Sequence, residues 1–386
     1  MDFIKKIFFA SLPVLLACSA IGKQITVTDD AELKSAIAAV KPGNVIKIAP
    51  GKYRGGIYLT NIKGTPEATI TIEGANLKKP PRFTGGSEAF HLSDCEYIIL
   101  RNLHVSGFPG NGINIDDGGS FESPTHHIRL EHVRIENTGP NGNHDALKLS
   151  GLYDFVIKNC TFRGWGGSAI DMVGCHRGII EGCRLTGVKG FSQSNGIQIK
   201  GGTTRITVKK CSFDRVGHRS VNLGGSTGLQ FFRPGVPDYE AKDITIAGNR
   251  FIGSMAPIAW VTAHGGHVHH NTFYYPEKWV VRILQESKDP RFKPSHSGVF
   301  ENNLIIFDQR VRVFANIGPS TNADSFKFRN NAWYEVRGSR KPVLPTKEIL
   351  GIYQPKLTPK HLDPHVQKPI IRDARLKHIG AHGYRQ

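Results

Sequence analysis

One short pattern recurs along the sequence at irregular intervals, and this repetition limits the folds open to the chain more than any other feature. Each copy has an apolar, a polar and an apolar residue in succession, except that Ala259 takes the polar place in one copy. The first apolar residue stands at positions 113, 147, 170, 197, 221, 258 and 281, so successive copies are 34, 23, 27, 24, 37 and 23 residues apart. Alternation with a period of two is typical of a strand with one buried face.

A second series of short apolar segments lies near these copies, at residues 98–100, 155–157, 178–180, 206–208 and 244–246. Two strands in each unit of roughly 20 to 50 residues fit one coil of a parallel β-helix, in which longer coils carry loops on one face. Such coils bury their apolar faces only by stacking, and the open ends of the stack need caps.

The segment before the repeats predicts such a cap. An amphipathic helix is expected to begin at Asp30, with Leu33, Ile37 and Val40 on one side, and Lys41-Pro42-Gly43 is expected to end it.

The first residues predict export. Lys5 and Lys6 precede the apolar stretch 7–17, which is too short to span a membrane as a mature helix. It runs into Leu-Leu-Ala-Cys, which resembles the bacterial lipobox, and we predict a signal peptide over 1–17 with an acylated Cys18 as the mature N-terminus. An ordinary cleaved signal peptide is the alternative. Either way the protein is expected in the periplasm, or as an outer-membrane lipoprotein at the cell surface, of a bacterium.

The charge balance predicts the kind of partner. A formal net charge of +18 and a sequence pI of about 9.7 favour polyanions. Export argues against nucleic acid, so we expect an acidic polysaccharide. Contact with a membrane is expected only through the N-terminal lipid anchor, and the protein is expected to be a monomer.

The remaining five cysteines are an odd number for an exported chain, which argues against a complete disulfide framework. Cys160, Cys183 and Cys211 recur in one local frame, each followed by a polar residue and then by Phe or Leu. That recurrence predicts a buried stack of small thiols with a structural role.

The opening of the chain, from Ile25-Thr26-Val27 to Ala49-Pro50-Gly51-Lys52-Tyr53, resembles the start of many secreted right-handed β-helix proteins. These include the alginate-lyase and chondroitinase-B family of polysaccharide lyases. The resemblance implies a Lys and an Arg at the site, and calcium held partly by paired Glu residues in some members. The sequence offers no strand with a Glu-x-Glu pair, so no catalytic residue is carried over by motif.

Pattern and resemblance together predict an all-β chain: a single-stranded right-handed parallel β-helix, or solenoid, over 24–336 with an N-terminal capping helix. Residues 337–386, which are rich in Pro and Lys, are expected to pack along it.

If the strands stack in register, their middle polar residues form one outward ladder with neighbouring rungs about 4.8 Å apart. Residues that enter or leave the same strands enrich it. The ladder itself is Asn114, Lys148, Asp171, Gln198, Asn222, Ala259 and Arg282, and the added residues are His144, Asp145, Asn195, Lys200, His218 and Arg219. The loop 225–242, with Phe231, Phe232 and Arg233, is expected to wall a groove. A solvated face of ion pairs and amides is the structural alternative.

Cleavage of a uronate polymer by elimination needs a group that neutralises the carboxylate, a base for the proton on the neighbouring carbon, and an acid for the leaving oxygen. Asp171, one rung from Lys148, favours the protonated lysine and makes it a better acid or clamp than a base. Histidine titrates nearer neutrality. The predicted catalytic residues are Lys148, His144, His218 and Arg219, and the predicted substrate-binding residues are Asn114, Gln198, Asn222, Arg282 and Lys200.

Calcium is the one cofactor that the ladder suggests, with Asp145 and Asp171 as ligands and Asp116 and Asp117 on the same side. The sequence Asp116-Asp117-Gly118-Gly119 fits a turn equally well. The histidines of 264–270 invite a zinc site, but they lack the spacing of known ones.

The function predicted first is a polysaccharide lyase acting on a uronate-containing polymer. Three alternatives stay open: a glycoside hydrolase that uses Asp145 and Asp171, a uronate C5-epimerase, and a non-catalytic glycan-binding surface protein.

Overall fold

The computed structural model describes residues 22–366 and 373–385 as one continuous stack of coils. Each coil contributes a strand to three long sheets, and every pairing between neighbouring coils is parallel. The predicted signal peptide and Cys18 lie outside the described residues. The predicted fold, an all-β parallel β-helix, is confirmed.

The three sheets are named in the order in which the chain first enters them. The strands of the first sheet are Gln24–Val27, Val45–Ile48, Ile70–Gly74, Glu96–Arg101, Thr125–Glu131, Leu152–Tyr153, Val156–Lys158, His176–Glu181, Thr203–Lys209, Ala241–Lys242, Thr245–Ala247, Ala263–His264, His267–His269, Val299–Glu301 and Lys327–Arg329. Those of the second sheet are Lys52–Arg54, Arg82–Thr84, His104–Ser106, Arg134–Thr138, Thr161–Trp165, Arg184–Thr186, Ser212–Asp214, Arg250–Ile252, Thr272–Tyr274, Leu304–Phe307, Ala332–Glu335 and Ile352–Tyr353.

The third sheet is the one that carries the predicted ladder. Its strands are Ile57–Thr60, Phe90–Ser93, Ile113–Asp116, Leu147–Ser150, Ser168–Val173, Asn195–Lys200, Arg219–Gly224, Ala256–Val261, Val281–Leu284 and Ala315–Ile317. All seven strands that the repeat predicted are here, in the predicted register. The second predicted series lies in the first sheet.

The core runs along the inside of the stack and is made of the inward apolar residue of each strand. Phe213, Phe251 and Phe273 stack at centroid distances of 4.7 and 4.9 Å. Like side chains from successive coils lie directly above one another because the parallel register repeats from coil to coil.

The cysteines are structural, as predicted. Among the described residues all five are free and buried, and burial raises the pKa of Cys175 to about 12. The backbone N–H of Cys183 lies 3.4 Å from the Sγ of Cys211. Burial of all five side chains fits the predicted structural role of small apolar groups.

A buried asparagine ladder continues the thiol stack at the same turn of later coils. Each Nδ2 donates to a backbone carbonyl of the preceding coil, and each Oδ1 accepts from a backbone N–H of that coil. The members are Asn249, Asn271, Asn303 and Asn331, with distances of 2.8 to 3.0 Å. The ladder satisfies peptide groups in a turn that the strands leave unpaired.

A helix packs against the first two strands of the first sheet. It spans Asp30–Ala38, buries Leu33 and Ile37, and is capped by Asp29, whose carboxylate accepts from Glu32 N at 2.8 Å. The other helices are short: Pro359–Leu362 and the 3-10 turns Leu229–Phe231, Ala323–Ser325, Ala374–Leu376 and Ala381–Gly383. In the part of the chain that the structure describes, no helix has the length and apolarity needed to cross a membrane.

Among the described residues after 353, the apolar ones lie against the later coils of the second sheet. Leu376 and Ile379 pack on Tyr274, Leu304 and Ile306. Two hydrogen bonds join backbone groups of this segment to the coils. Ala381 N donates to Thr272 Oγ1, and the Tyr275 hydroxyl donates to Leu362 O, both at 2.9 Å.

The asparagine ladder predicts a large local contribution to stability. Asn271→Ala removes hydrogen bonds to two buried backbone carbonyls and one buried N–H, so the free energy of unfolding should fall by about 3 kcal/mol. Urea denaturation measures it. The control is Asn322→Ala, at an exposed asparagine whose side chain makes no hydrogen bond in the described residues, and this variant should match the wild type. A loss for Asn271→Ala no larger than the control's would contradict the role of the ladder.

Candidate functional site

The outward side chains of the third sheet form a single ladder along the long axis. In order they are Tyr58, His91, Asn114, Lys148, Asp171, Gln198, Asn222, Ala259, Arg282 and Asn316. The predicted ladder is therefore present, and three further rungs extend it. Successive rungs are about 4.8 Å apart, so any two neighbours are within reach of each other.

Two lysines and two aspartates meet at the centre of the ladder. Lys148 Nζ pairs with Asp171 Oδ2 and lies 3.5 Å from Asp145 Oδ2. Lys200 Nζ lies 3.5 Å from Asp171 Oδ1. The carboxylates are 1 % exposed, while the Lys148 and Lys200 side chains are 22 % and 21 % exposed. The ammonium groups therefore form the accessible surface and the acids lie beneath them.

The carboxylates of Asp145 and Asp171 differ in the hydrogen bonds that they accept. Asp145 Oδ1 accepts from the backbone N–H of Ser168 at 2.7 Å. Asp145 Oδ2 and Asp171 Oδ1 are buried and accept no hydrogen bond from the described residues. Only the lysine charges compensate these two oxygens, so the lysines and the acids depend on each other.

This arrangement shifts the protonation of both partners. Burial, together with the neighbouring Asp171 carboxylate, raises the pKa of Asp145 to about 6. Burial by itself lowers the pKa of Lys148, but Asp171 and Asp145 outweigh it and the pKa of the lysine is raised. Lys148 stays charged at neutral pH and is a poor base, as its position beside Asp171 predicted.

Amide side chains continue the floor of the groove. Gln198 Oε1 accepts from Asn195 Nδ2 at 2.6 Å and from Asn222 Nδ2 at 3.2 Å, and Gln198 Nε2 donates to Gly224 O at 2.8 Å. These bonds fix the amide orientations. Gln198 and Asn222 are nearly buried, so Asn195 offers the more accessible amide.

The predicted clamp arginines lie at the far end. Arg219 Nη2 pairs with Glu286 Oε1 at 2.6 Å. Arg282 Nε donates to Asn316 Oδ1 at 2.8 Å, and its guanidinium lies 4.6 Å from the ring centre of Trp279. Burial and the positive charge of Arg219 lower the pKa of Arg282. The two guanidinium groups therefore repel each other electrostatically.

The two predicted histidine bases lie in different coils and do not act together. Their strands are three rungs apart, which is about 14 Å. Both side chains are exposed. His144 Nδ1 lies 2.9 Å from the carbonyl oxygen of Asn141, so Nδ1 carries the proton and Nε2 is left with a free lone pair. His218 makes no side-chain hydrogen bond within the described residues.

Loops border the groove on the side where the chain enters the third sheet. Together with the ladder they enclose an open cavity of about 390 Å³. Its lining is Gly142, Asn143, Gly167, Ser168, Ser192, Ser194, Asn195, Gln198 and Lys200. The cavity therefore opens onto Lys200 of the central cluster and onto the accessible amide of Asn195.

The loop 225–242 lies across the other edge, where strands leave the sheet. Phe231 is 56 % exposed, and its part in walling a groove stays a prediction. Phe232 is buried against Phe292, and Arg233 pairs with Asp117 at 2.8 Å. These two residues anchor the loop, because an arginine beside a buried carboxylate is held rather than free to bind a ligand.

A cluster of two acids and a histidine lies at the start of the ladder and was not among the predicted site residues. His91 Nε2 lies 2.6 Å from Asp116 Oδ2, and its Nδ1 lies 3.2 Å from Glu88 Oε1. Glu88 also accepts from Asn114, which is therefore held in place. Phe90-His91-Leu92 follows the same apolar-polar-apolar pattern, so extending the repeat by one coil would have found this residue.

The residues present do not fit a calcium ion between Asp145 and Asp171. Calcium takes about six to eight oxygen ligands, whereas these two carboxylates face the Lys148 ammonium. Asp116 and Asp117 belong to other contacts and accept from the N–H groups of Gly118 and Gly119 in the predicted turn. Calcium dependence stays a prediction, and no step below involves the ion.

The histidines of 264–270 form no metal cluster. Across residues 22–366 and 373–385, no three His, Cys, Asp or Glu side chains gather to hold a metal ion. His267 pairs with Glu301 at 2.7 Å, and Val268 is buried between His267 and His269. The segment is the ordinary strand that its alternation indicated.

Comparison with protein-family models agrees with this architecture. The model described as a right-handed β-helix region matches residues 88–338, more than half of the chain. The chain belongs to this family. Comparison with curated protein sequences finds no match.

Solved structures of right-handed β-helix proteins resemble the chain along most of its length. The PL6-family polysaccharide lyase Pedsa3628 from Pseudopedobacter saltans is 15% identical with a TM-score of 0.55, covering 93% of this chain and 99% of that one. An alginate lyase from Paenibacillus sp. is 18% identical at 0.51, covering 78% and 96%. A GH136 lacto-N-biosidase from Eubacterium ramulus is 13% identical at 0.50, covering 85% and 67%. The predicted resemblance to polysaccharide lyases is confirmed, and at these identities it shows the fold.

Because the pKa of Asp145 is raised, we predict that the free energy of unfolding depends on pH. The folded pKa of about 6 lies above the ordinary 3.8, so the folded state binds the proton more tightly between these pH values. The stabilising contribution is present at low pH and is lost as the pH rises from about 4 to about 6. Asp145→Asn cannot titrate, so its free energy of unfolding relative to wild type should rise by about 2 kcal/mol over that range.

Urea denaturation at several pH values measures this difference. The control is Asp324→Asn, at an exposed aspartate without an ion pair in the described residues, and it should add no such slope. A constant difference between Asp145→Asn and wild type from pH 4 to 7 would mean that Asp145 titrates like an exposed aspartate.

Proposed function

We propose that this chain is a polysaccharide lyase that cleaves a uronate-containing polymer by β-elimination. The observation that carries the proposal is the central cluster, in which buried Asp145 and Asp171 hold the ammonium groups of Lys148 and Lys200 at the floor of an open groove. Fixed positive charges in a partly desolvated site stabilise a carboxylate and the charge that develops on it. The likeness to solved lyases supports the same class.

The roles follow from the protonation states. Lys148 stays charged and binds the uronate carboxylate, which acidifies the proton on the neighbouring carbon. His144 removes that proton through Nε2, whose lone pair is free because Nδ1 donates to Asn141. The electron pair forms the carbon–carbon double bond as the bond to the glycosidic oxygen breaks. The proton held by His144 then passes to the leaving oxygen, so the enzyme returns to its starting state.

Amide and arginine side chains would hold the neighbouring sugars. Asn195, with Gln198 and Asn222 behind it, lies two rungs from Lys148, and Arg219 and Arg282 lie beyond. An arginine accepts a carboxylate with two parallel hydrogen bonds, which suits a polymer that carries one acid group per sugar. The groove is therefore suited to an extended acidic chain lying along the axis of the stack.

Hydrolysis by the two aspartates has less support. An acid and a nucleophile or base must reach the glycosidic bond. The carboxylates of Asp145 and Asp171 are 1 % exposed and lie under the lysines. A uronate C5-epimerase would use the same clamp and base as the lyase. The two reactions differ in the electron pair left on the carbon, which expels the glycosidic oxygen in the lyase and takes up a proton from the opposite face in the epimerase.

The first measurement is the ultraviolet absorbance of the unsaturated product during incubation with alginate, pectate, chondroitin, dermatan, heparin and ulvan, each with and without calcium. Elimination leaves a double bond conjugated to the carboxylate, so absorbance should rise on at least one polymer. Reducing ends without absorbance would indicate hydrolysis, and deuterium exchange from solvent without cleavage would indicate epimerisation. Absence of all three signals contradicts an enzymatic role on these polymers.

His144→Ala should lower kcat on the cleaved polymer by about 100-fold or more, because it removes the proton acceptor. KM should change little, since Lys148 still binds the carboxylate. The matched control is His218→Ala, an exposed histidine at the equivalent position three coils away, which should keep most of the activity. The reverse result would transfer the role of the base to His218.

A further inference from the structure

The outward face of the second sheet divides into two parts with opposite character. In the later coils, outward Tyr274, Leu304 and Ile306 are apolar and are covered by Leu376 and Ile379 of the C-terminal segment. In the earlier coils, from Lys52–Arg54 to Arg184–Thr186, basic residues are the most frequent outward residues. The described C-terminal residues reach this part at its edge, where they line a cavity with Arg184 and Thr186. Packing against the C-terminal segment accounts for the apolar outward residues of the covered part. It does not account for the basic residues of the open part.

The basic residues of the open part lie in two neighbouring columns along the stack, which we call the basic stripe. Pairing aligns Lys52, Arg82, His104 and Arg134 in one column, which continues through Thr161 to Arg184. Arg54 and Arg163 lie in the neighbouring column, where Arg163 is aligned with Glu136. The stripe consists of Lys52, Arg54, Arg82, His104, Arg134, Arg163 and Arg184. All except His104 are exposed.

Few acids neutralise the stripe. Glu136 is the one carboxylate among the outward residues of these six strands, and it lies 3.2 Å from His104 and 3.6 Å from Arg134. In the part of the chain that the structure describes, Arg82 makes no ion pair, and its guanidinium donates to the hydroxyl of Ser106 at 3.3 Å. Within the described residues, Arg163 and Arg184 make no ion pair.

The outward arginines of the first sheet are more often paired with acids. Arg101 lies 2.8 Å from Glu73 and Arg129 lies 2.6 Å from Glu131, whereas Arg205 makes no ion pair in the described residues. The stripe is therefore a part of the surface where positive charge is poorly neutralised. A surface of unpaired like charge is costly unless a ligand of opposite charge meets it.

We propose that the basic stripe binds a stretch of acidic polysaccharide, separately from the groove of the third sheet. Rungs are about 4.8 Å apart, and the Debye length at 0.1 M salt is about 10 Å. Neighbouring cations therefore act together on a linear chain of carboxylates laid along the axis. The stripe takes the same class of polymer as the proposed enzyme, and its binding does not depend on turnover.

An anionic membrane is the other partner of suitable charge, and the surface fits it less well. Binding to a lipid surface draws on apolar side chains that insert beside the charges. Leu77, which is 67 % exposed, lies near the stripe, but none of the exposed large apolar residues lies on the six strands themselves. Basic side chains that recur from coil to coil along the stack suit a linear polymer.

The test compares two triple variants with the same net charge. Arg134→Gln, Arg163→Gln and Arg184→Gln together neutralise the stripe. Arg129→Gln, Arg177→Gln and Arg329→Gln together remove three arginines of the first sheet that pair with Glu131, Asp154 and Glu301. All six are on the surface, so both variants should fold, and circular dichroism and thermal melting check this. The probes are alginate and polygalacturonate at low ionic strength, and vesicles of phosphatidylglycerol in phosphatidylcholine.

The stripe variant should bind the polymers about tenfold more weakly than wild type and leave an immobilised polymer column at lower salt, since three exposed charge contacts contribute roughly this much. The first-sheet variant should bind like wild type. Equal polymer binding by the stripe variant and wild type overturns the proposal. So does a loss confined to the vesicles, which would make the stripe a membrane contact. Absence of unsaturated product would refute the lyase and leave this result intact.

Discussion

Parallel pairing between successive coils, in strict register, is the constraint on which the rest of the structure depends. Each outward residue lies one rung from its counterpart in the next coil, so residues 20 to 40 positions apart become neighbours in space. Lys148 meets Asp171 for this reason. A shift of one residue in any coil would turn its polar side chain into the core and its apolar ones outward. The register therefore holds the core, the asparagine ladder and the candidate site together.

Much of the fold and part of the site could be predicted, because register depends on a local pattern that the sequence shows. The alternation around Ile113 and Ile170 predicted which residues share a sheet, and hence the contact between Lys148 and Asp171. The burial of Asp145 could not be predicted, since it depends on Ser168 and on loops of other coils. The pairing of Arg233 with Asp117 joins residues 116 positions apart through a loop without periodicity. Side-chain partners set by such loops leave no signal in the alternation.

The central cluster shows how a small number of buried acids can organise a surface of the opposite charge. Asp145 and Asp171 are too buried to meet a polymer, but each fixes a lysine that can. Two lysines without these acids would repel one another and sample many rotamers. The acids thus supply order more than chemistry, and the raised pKa of Asp145 is the cost of placing them below the surface. Within the described residues, Glu136 alone supplies ion pairs to the basic stripe, to His104 and Arg134, so fewer of the stripe's side chains are fixed in this way.

The thiol stack has a consequence for how the protein reaches its folded state. Cys160, Cys183 and Cys211 are shielded from solvent only once the coils that enclose them have formed. An unfolded chain exposes these thiols, together with Cys95 and Cys175, to any oxidant at once, and a disulfide between coils would lock a wrong register. In an oxidising compartment, folding and thiol oxidation therefore compete in time. The coils that enclose the cysteines must therefore form before disulfides form between the thiols.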